Sequence, residues 1–281
     1  MFSTSWLGIL FALTSAFVWG GADFSGGVAT RRNSQFQVLA LSTLSGIVPL
    51  LACVALWGES LPSLGGLSSA AMAGVSGAIG VAALYHALSL GNAASVAPIA
   101  AVVGAALPVL FGMLTEGFPG AARLAGFALA FFGIGLVSQS STTDKRVLRQ
   151  GILLAVLAGV GFGGFFILIA QAEPGRVFVP LVVTRLVSFG IALLMLLIRR
   201  MPLPSLNSNP IALLAGLLDA GGNTFYLLAK QFARLDVVVM LSSLYPAITV
   251  LLACIVLKQA VSRAQWIGVA LCLMAAALIA V

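Results

Sequence analysis

AGLLDAGGNTFYLLAK, residues Ala215–Lys230, opens a stretch that this chain has already used once. Moved back by 142 positions, Ala215–Ile279 falls on Ala73–Val137. Ala73-Gly74 meets Ala215-Gly216, Gly80 meets Gly222, Ala87 meets Ala229 and Ala105 meets Ala247. Further on, Leu110 meets Leu252, Gly126 meets Gly268, Ala128-Leu129 meets Ala270-Leu271 and Leu136 meets Leu278. Upstream the offset becomes 143: Gly8-Ile9-Leu10 lies on Gly151-Ile152-Leu153, Gly20-Gly21 on Gly163-Gly164, and Ser45 on Ser188. A register held without a gap across several apolar segments is a repeat of about 140 residues, and any function has to be built from the pair.

Composition identifies the solvent. The 281 residues are 61% hydrophobic and 7% charged, with a mean hydropathy of +1.15. A soluble domain carries about 25% charged residues, so this chain has too few to cover a surface in water. Its apolar runs are long rather than alternating, which predicts membrane helices and not a transmembrane barrel. The net charge of +7 sits in short connections between those runs, a topology signal rather than a nucleic-acid surface. Cys53, Cys254 and Cys272 fall inside apolar runs without metal-ligand spacing and read as small packing residues.

Ten spans follow, at about 5–27, 34–56, 67–89, 93–115, 121–139, 151–171, 177–198, 210–231, 236–257 and 264–281. Each approaches the ~20 residues that cross ~30 Å of hydrocarbon. Turn residues mark the joints: Pro62, Gly65-Gly66, Pro119-Gly120, Pro174-Gly175 and Pro202 to Pro210. Ser138 to Gln150, with Asp144, Lys145, Arg146 and Arg149, reads as the linker between halves. The first run lacks a basic n-region and has a copy at Gly151, so it is expected to be a span and not a cleaved signal. Five spans per copy is an odd number. The second copy then enters the membrane from the opposite side, giving two inverted five-helix repeats, 5–139 and 150–281, in an all-α membrane protein of ten transmembrane helices. Inverted repeats are the frame of many secondary transporters, with a substrate site between the halves near the midplane.

Several local motifs carry a resemblance. Trp19-Gly20 is copied as Phe162-Gly163. Leu107-Pro108-Val109 leads to Glu116-Gly117 and Leu124-Ala125-Gly126, while Leu244-Tyr245-Pro246 leads to Lys258 and Trp266-Ile267-Gly268. The chain resembles the drug/metabolite transporter superfamily, specifically bacterial ten-helix EamA-type transporters, over nearly its whole length. The family usually has a glutamate at the end of the fourth helix of each unit; here it is Glu116 in the first and Lys258 in the second. The resemblance implies a multi-pass protein of the bacterial inner membrane that exports amino acids, related metabolites or drugs. It implies no cofactor, with membrane lipids and a small-molecule substrate as partners and a monomer or homodimer as assembly.

Ionisable and polar residues inside spans are costly and mark functional candidates. Asp23 and His86 lie in spans one and three, near the same membrane face, and could share one vestibule. The structural alternatives are an Asp23 paired to Arg31 or Arg32 and a packed His86. Tyr85 and Trp19 offer aromatic faces for a ligand, and Tyr245 precedes a proline inside span nine. Trp6, Trp57 and Trp266 lie near span ends as interfacial anchors. Asp219, Asn223 and Tyr226 at i, i+4 and i+7 share one face of span eight. Their counterparts Gly77, Val81 and Leu84 are apolar, so the stripe is an asymmetric addition to a symmetric frame. Arg185 falls on Ser42 and Asp219 on Gly77, so these two charges occur together in one copy and are both missing from the other. Their depths in antiparallel spans differ by about 5 Å at ~1.5 Å per residue, which predicts an Arg185–Asp219 ion pair. Glycines crowd span one (Gly20, Gly21, Gly26, Gly27) and span six (Gly159, Gly161, Gly163, Gly164), allowing close helix contact.

No metal-ligand cluster, Walker-type loop, HExxH or carboxylate pair is evident, so the chain is expected not to be an enzyme and not to use ATP or bind nucleic acid. A channel or lipid scramblase on the same scaffold is the competing reading. For orientation, loops after spans 1, 3, 5, 7 and 9 form an odd face carrying nine basic residues, against four on the even face. The positive-inside rule puts the odd face in the cytoplasm and both termini outside; the family resemblance implies the reverse. The charge count is taken as the expectation.

Overall fold

The computed structural model describes residues 6–89, 93–137, 145–173, 175–258 and 262–280. Among them the architecture is entirely helical: α1 (Trp6–Ala29), α2 (Gln35–Trp57), α3 (Leu64–Ser89), α4 (Ala93–Glu116), α5 (Ala121–Val137), α6 (Lys145–Ile169), α7 (Phe178–Ile198), α8 (Pro210–Phe232), α9 (Leu235–Ser242), α10 (Tyr245–Leu257) and α11 (Arg263–Ala280). Seven segments are long and apolar enough to cross a membrane, with α9–α10 counted as one, and three shorter apolar helices accompany them. Leu10, Phe17, Val48, Leu197 and Leu273 are more than half exposed. In water such a surface would drive aggregation; in a bilayer it is the face presented to lipid.

Three sequence expectations are corrected. The ninth span is broken, with α9 ending at Ser242 and α10 starting at Tyr245. Pro246 has no N–H to donate, and its ring would strike the Ser242 carbonyl of a continuous helix. The basic part of the expected linker, from Lys145 onward, is the first turn of α6; residues 138–144 lie outside the described residues. Gly65-Gly66, expected in a turn, occupy the first turn of α3. Pro210 fits its helix better than a loop. It sits at the first position of α8, where a missing N–H costs nothing, behind Asn209, whose side chain accepts from the Ala212 N–H at 3.3 Å.

The helices of the first half pack chiefly on those of the second. α1 lies on α8 and α3 on α6; α4 packs on α6, and α9 and α10 on α1; α2 meets α7 and α8, α7 meets α3, and α5 meets α11. Glycine makes the closest approaches possible. A Cβ on Gly222 would strike the Trp19 ring, and one on Gly80 would strike Phe162. The sequence offsets place Gly222 on Gly80 and Trp19 near its copy Phe162, so the same contact occurs twice with the halves exchanged. Hydroxyls then tie backbones that are this close: Ser45 donates to the Leu213 carbonyl at 2.8 Å, and its copy Ser188 to the Gly74 carbonyl at 3.1 Å. α9 is enclosed by α1, α4 and α8, and Val237 through Leu241 have no exposed surface.

On the even face, helix capping ties the halves together. α7 begins at Val177 without a side-chain cap of its own. Glu59, after α2, supplies one: its carboxylate accepts from Val177, Phe178 and Val179 N–H groups at 2.9–3.2 Å. An anion against three first-turn donors satisfies groups the helix cannot pair internally and sits at the positive end of its dipole. Nearby, Glu173 accepts from Ser63 N–H at 2.9 Å, and Arg176 donates to Ser60. Hydrogen bonding to Ser63, ahead of the Arg176 charge, holds the Glu173 carboxyl below its ordinary range. That tie is therefore present above the ordinary carboxylate pKa and lost as pH falls through the lowered one. Glu116 does the same work at α9. It accepts from the Leu235 N–H and from Lys230 Nζ, both at 3.0 Å, while Arg234 bonds the Glu116 carbonyl at 2.9 Å. Arg234 also holds the wholly buried Asp236 at 2.9 Å. Lys258, the copy of Glu116, has a backbone φ of 52° just past α10 and is exposed. Glu59→Ala strands three amide donors and is expected to lose about 2 kcal/mol of stability, whereas Glu173→Ala barely shifts the melting temperature; thermal melts of the two variants in detergent check this ordering.

Candidate functional site

A cavity of about 170 Å³ lies where the two halves meet. Its lining follows the repeat. Ser42 and its copy Arg185, Gly77 and Asp219, Val81 and Asn223, Trp19 and Phe162, and Asp23 and Phe166 all contribute to the wall. At four of these five pairs a charged or amide side chain stands opposite a neutral copy. The frame is thus used twice and the polar chemistry once.

The chemistry centres on Arg185. It projects from α7, where Leu181 and Val182 bury one face, and its guanidinium bonds the Asp219 carboxylate of α8. The expected ion pair is present. Asp219 is held from its own helix as well. Asn223, one turn on, donates through Nδ2 to the Asp219 carbonyl at 2.6 Å and to Oδ1 at 3.2 Å. Two acceptors on the nitrogen fix which way the amide points, and Asn223 Oδ1 is then a buried acceptor without a hydrogen-bond partner among the described residues. Ser188 and Thr184 of α7 and Ser42 and Thr43 of α2 add hydroxyls to the wall. Thr43 spends its hydroxyl on the Leu39 carbonyl at 2.7 Å.

Asp23 reaches the cavity from α1 and is exposed there. The expected pairing with Arg31 or Arg32 is not made: among the described residues Asp23 has no ion pair. One turn below it, Trp19, Phe166 and Tyr226 stack with ring centroids 5.1–5.7 Å apart, and Tyr245 meets Trp19 edge-on at 6.4 Å. This stack forms the wall toward the even face. Val38, Leu39 and Leu84, near the odd-face ends of α2 and α3, line the opposite end.

Of the residues singled out from sequence, Trp19, Asp23, Arg185, Asp219, Asn223 and Tyr245 converge on the cavity. Tyr226 does not line it. Its ring is wholly buried behind Trp19 and Phe166, and its hydroxyl donates to the Phe166 carbonyl at 3.2 Å, because the i+7 position carries it a turn too deep. His86 lies on the exposed side of the last turn of α3, away from the cavity, so it shares no vestibule with Asp23. The Tyr85 side chain lies outside the described residues. Sequence reasoning missed Phe165 and Phe166 as wall residues. Phe162 was signalled, since it is the copy of Trp19. Among the described residues no cluster of metal-ligating side chains occurs, and the three cysteines are free thiols on three separate helices.

An all-helical, multi-pass membrane protein with a charged chamber between its halves is the setting for a solute-handling protein. Residues 149–281 match the EamA-like transporter family, consistent with the drug/metabolite transporter superfamily. Members of that family are transporters rather than enzymes. A solved structure described as "Crystal structure of protein" is similar over 98% of both chains, with a TM-score of 0.81 at 20% identity, a likeness of fold. No curated protein matches.

Removing one member of this pair leaves the other charge without its partner, at a cost below the ~3–5 kcal/mol of a fully buried pair because Asp219 is 41% exposed, whereas removing both leaves only polar voids. Arg185→Ala and Asp219→Ala are therefore each expected to melt below the double variant. Thermal melts of the three proteins test it, and harmless single variants would contradict the pairing.

Proposed function

We propose that the protein is a secondary transporter that moves a small amphipathic solute, an amino acid or a close relative, out of the cell. The two copies, 5–139 and 150–281, act as inverted five-helix repeats that rock about the cavity. The observation that carries this reading is the chamber itself: Arg185, Asp219 and Asp23 enclosed in a membrane protein at the seam of its halves. Charges at such depth are retained where a solute or ion uses them. The reciprocal contacts of Gly222 with Trp19 and Gly80 with Phe162 support the repeat reading.

Alternating access needs one closed end at a time. The Glu59 and Glu116 caps close the even face, and the aromatic stack lies just inside them. If the basic odd face is cytoplasmic, this conformation takes up solute from inside the cell, as export requires. Direction and a bacterial inner-membrane location belong to the proposal. The chain offers no ATP-binding loop, so an ion gradient or exchange drives any uphill step.

Proteoliposomes are loaded with unlabelled phenylalanine or phenethylamine in turn, and at least one of the two labelled compounds is expected to accumulate transiently and saturably. Counterflow of either supports a carrier. Non-saturable flux without counterflow favours a channel, and lipid flipping without solute movement favours a scramblase.

A further inference from the structure

Three charged side chains face the cavity, and they are not equally available to a guest. The Arg185 side chain is 9% exposed and already bonded, while that of its partner Asp219 is 41% exposed. Asp23 is exposed to the cavity and has no ion pair among the described residues. The charge presented to a guest is therefore that of carboxylates, from two helices in opposite halves, with the cation set back behind one of them. Asn223, 6% exposed, lines the same wall and keeps a buried oxygen with no donor. Among the described residues that oxygen is the one buried side-chain polar atom left without a partner, and two carboxylates against one guanidinium leave the chamber with a formal excess of one negative charge.

Resting on the carrier reading above, we infer that the transported solute is an organic cation, an amine whose ammonium sits between Asp23 and Asp219 and which has no free carboxylate. The remaining wall agrees. Trp19, Phe162 and Phe165 surround the space with aromatic faces, which take up both an apolar body and the edge of a cation. The volume sets the body's size. About 150 Å³ suffices for a benzene molecule, so 170 Å³ takes one ring, or an aliphatic chain of like bulk, with a short arm. A zwitterionic amino acid of that size would bring its carboxylate into a chamber whose guanidinium is engaged, and would meet two like charges. The substrate is thus an amine of amino-acid size rather than the amino acid.

A charge series on one carbon frame tests this: phenethylamine, 2-phenylethanol, phenylalanine and 3-phenylpropionate, added to the purified full-length protein in detergent and read by thermal melting. Ligands of the folded state raise the melting temperature, and at equal concentration the tighter binder raises it further. Phenethylamine is expected to bind at least tenfold more tightly than phenylalanine, with 2-phenylethanol weaker than the amine and 3-phenylpropionate giving no shift. Asp23→Asn should reduce phenethylamine to the level of the alcohol, and Asp23→Glu should keep the preference for the amine. If phenylalanine stabilises as well as phenethylamine, the inference fails while counterflow still upholds the carrier. If none of the four shifts the melt, the inference also fails, and counterflow decides the carrier reading by itself. Should Asp23→Asn not fold, the wild-type series with Asp23→Glu still decides the matter.

Discussion

A guanidinium and a carboxylate held together inside a hydrocarbon-facing bundle constrain everything around Arg185. The Arg185 side chain, only 9% exposed, is the costly member to leave alone, since low dielectric penalises an unpaired ion. The pair therefore requires α7 and α8 to stand side by side at matched depth. It also requires Asn223 to hold the carboxylate from below and the remaining wall to be shaped around a polar centre. α2 and α3, the copies of α7 and α8, carry Ser42 and Gly77 at the same positions. They need no pair and leave the space that the chamber occupies.

Close packing between the halves supplies the rest of the frame. Without a hydrophobic drive between helices in lipid, contact depends on backbones approaching and on hydroxyls bonding across. Gly80, Gly216 and Gly222 admit the partner helices, and Ser15, Ser45, Ser76 and Ser188 donate to carbonyls on them. Two outlying carboxylates, Glu59 and Glu116, then hold helix N-termini of the opposite half. These ties are few, charged and near one face, whereas the glycine contacts run through the bundle. Carboxylate caps thus tie the halves at one face, and close glycine packing joins them elsewhere.

Much of this was legible in the sequence, for reasons that can be named. The apolar runs located most helices to within a few residues because apolar length is dictated by the bilayer. The Arg185–Asp219 pair was legible because both residues lack a charged copy and lie at similar depths. The break between α9 and α10 was signalled by Pro246, yet a proline at a helix start and one at a kink look alike in sequence. Tyr226 was misplaced because a shared helix face runs past the cavity floor as well as along it. His86, read as a vestibule residue, is exposed in the last turn of α3 and does not line the cavity. Phe165 and Phe166 gave no polar signal at all. Their role comes from standing where the other copy has Ala22 and Asp23.

The central claim is that a water-accessible, charged chamber lies between the two halves inside the membrane. Ser42, on the wall beside Arg185, reports on it after the native Cys53, Cys254 and Cys272 are replaced by serine. In sealed vesicles of defined orientation, Ser42→Cys should react with a small membrane-impermeant thiol reagent added at the odd face, and much less from the even face. Labelling only by a lipid-soluble reagent would put Ser42 against the bilayer and contradict the account.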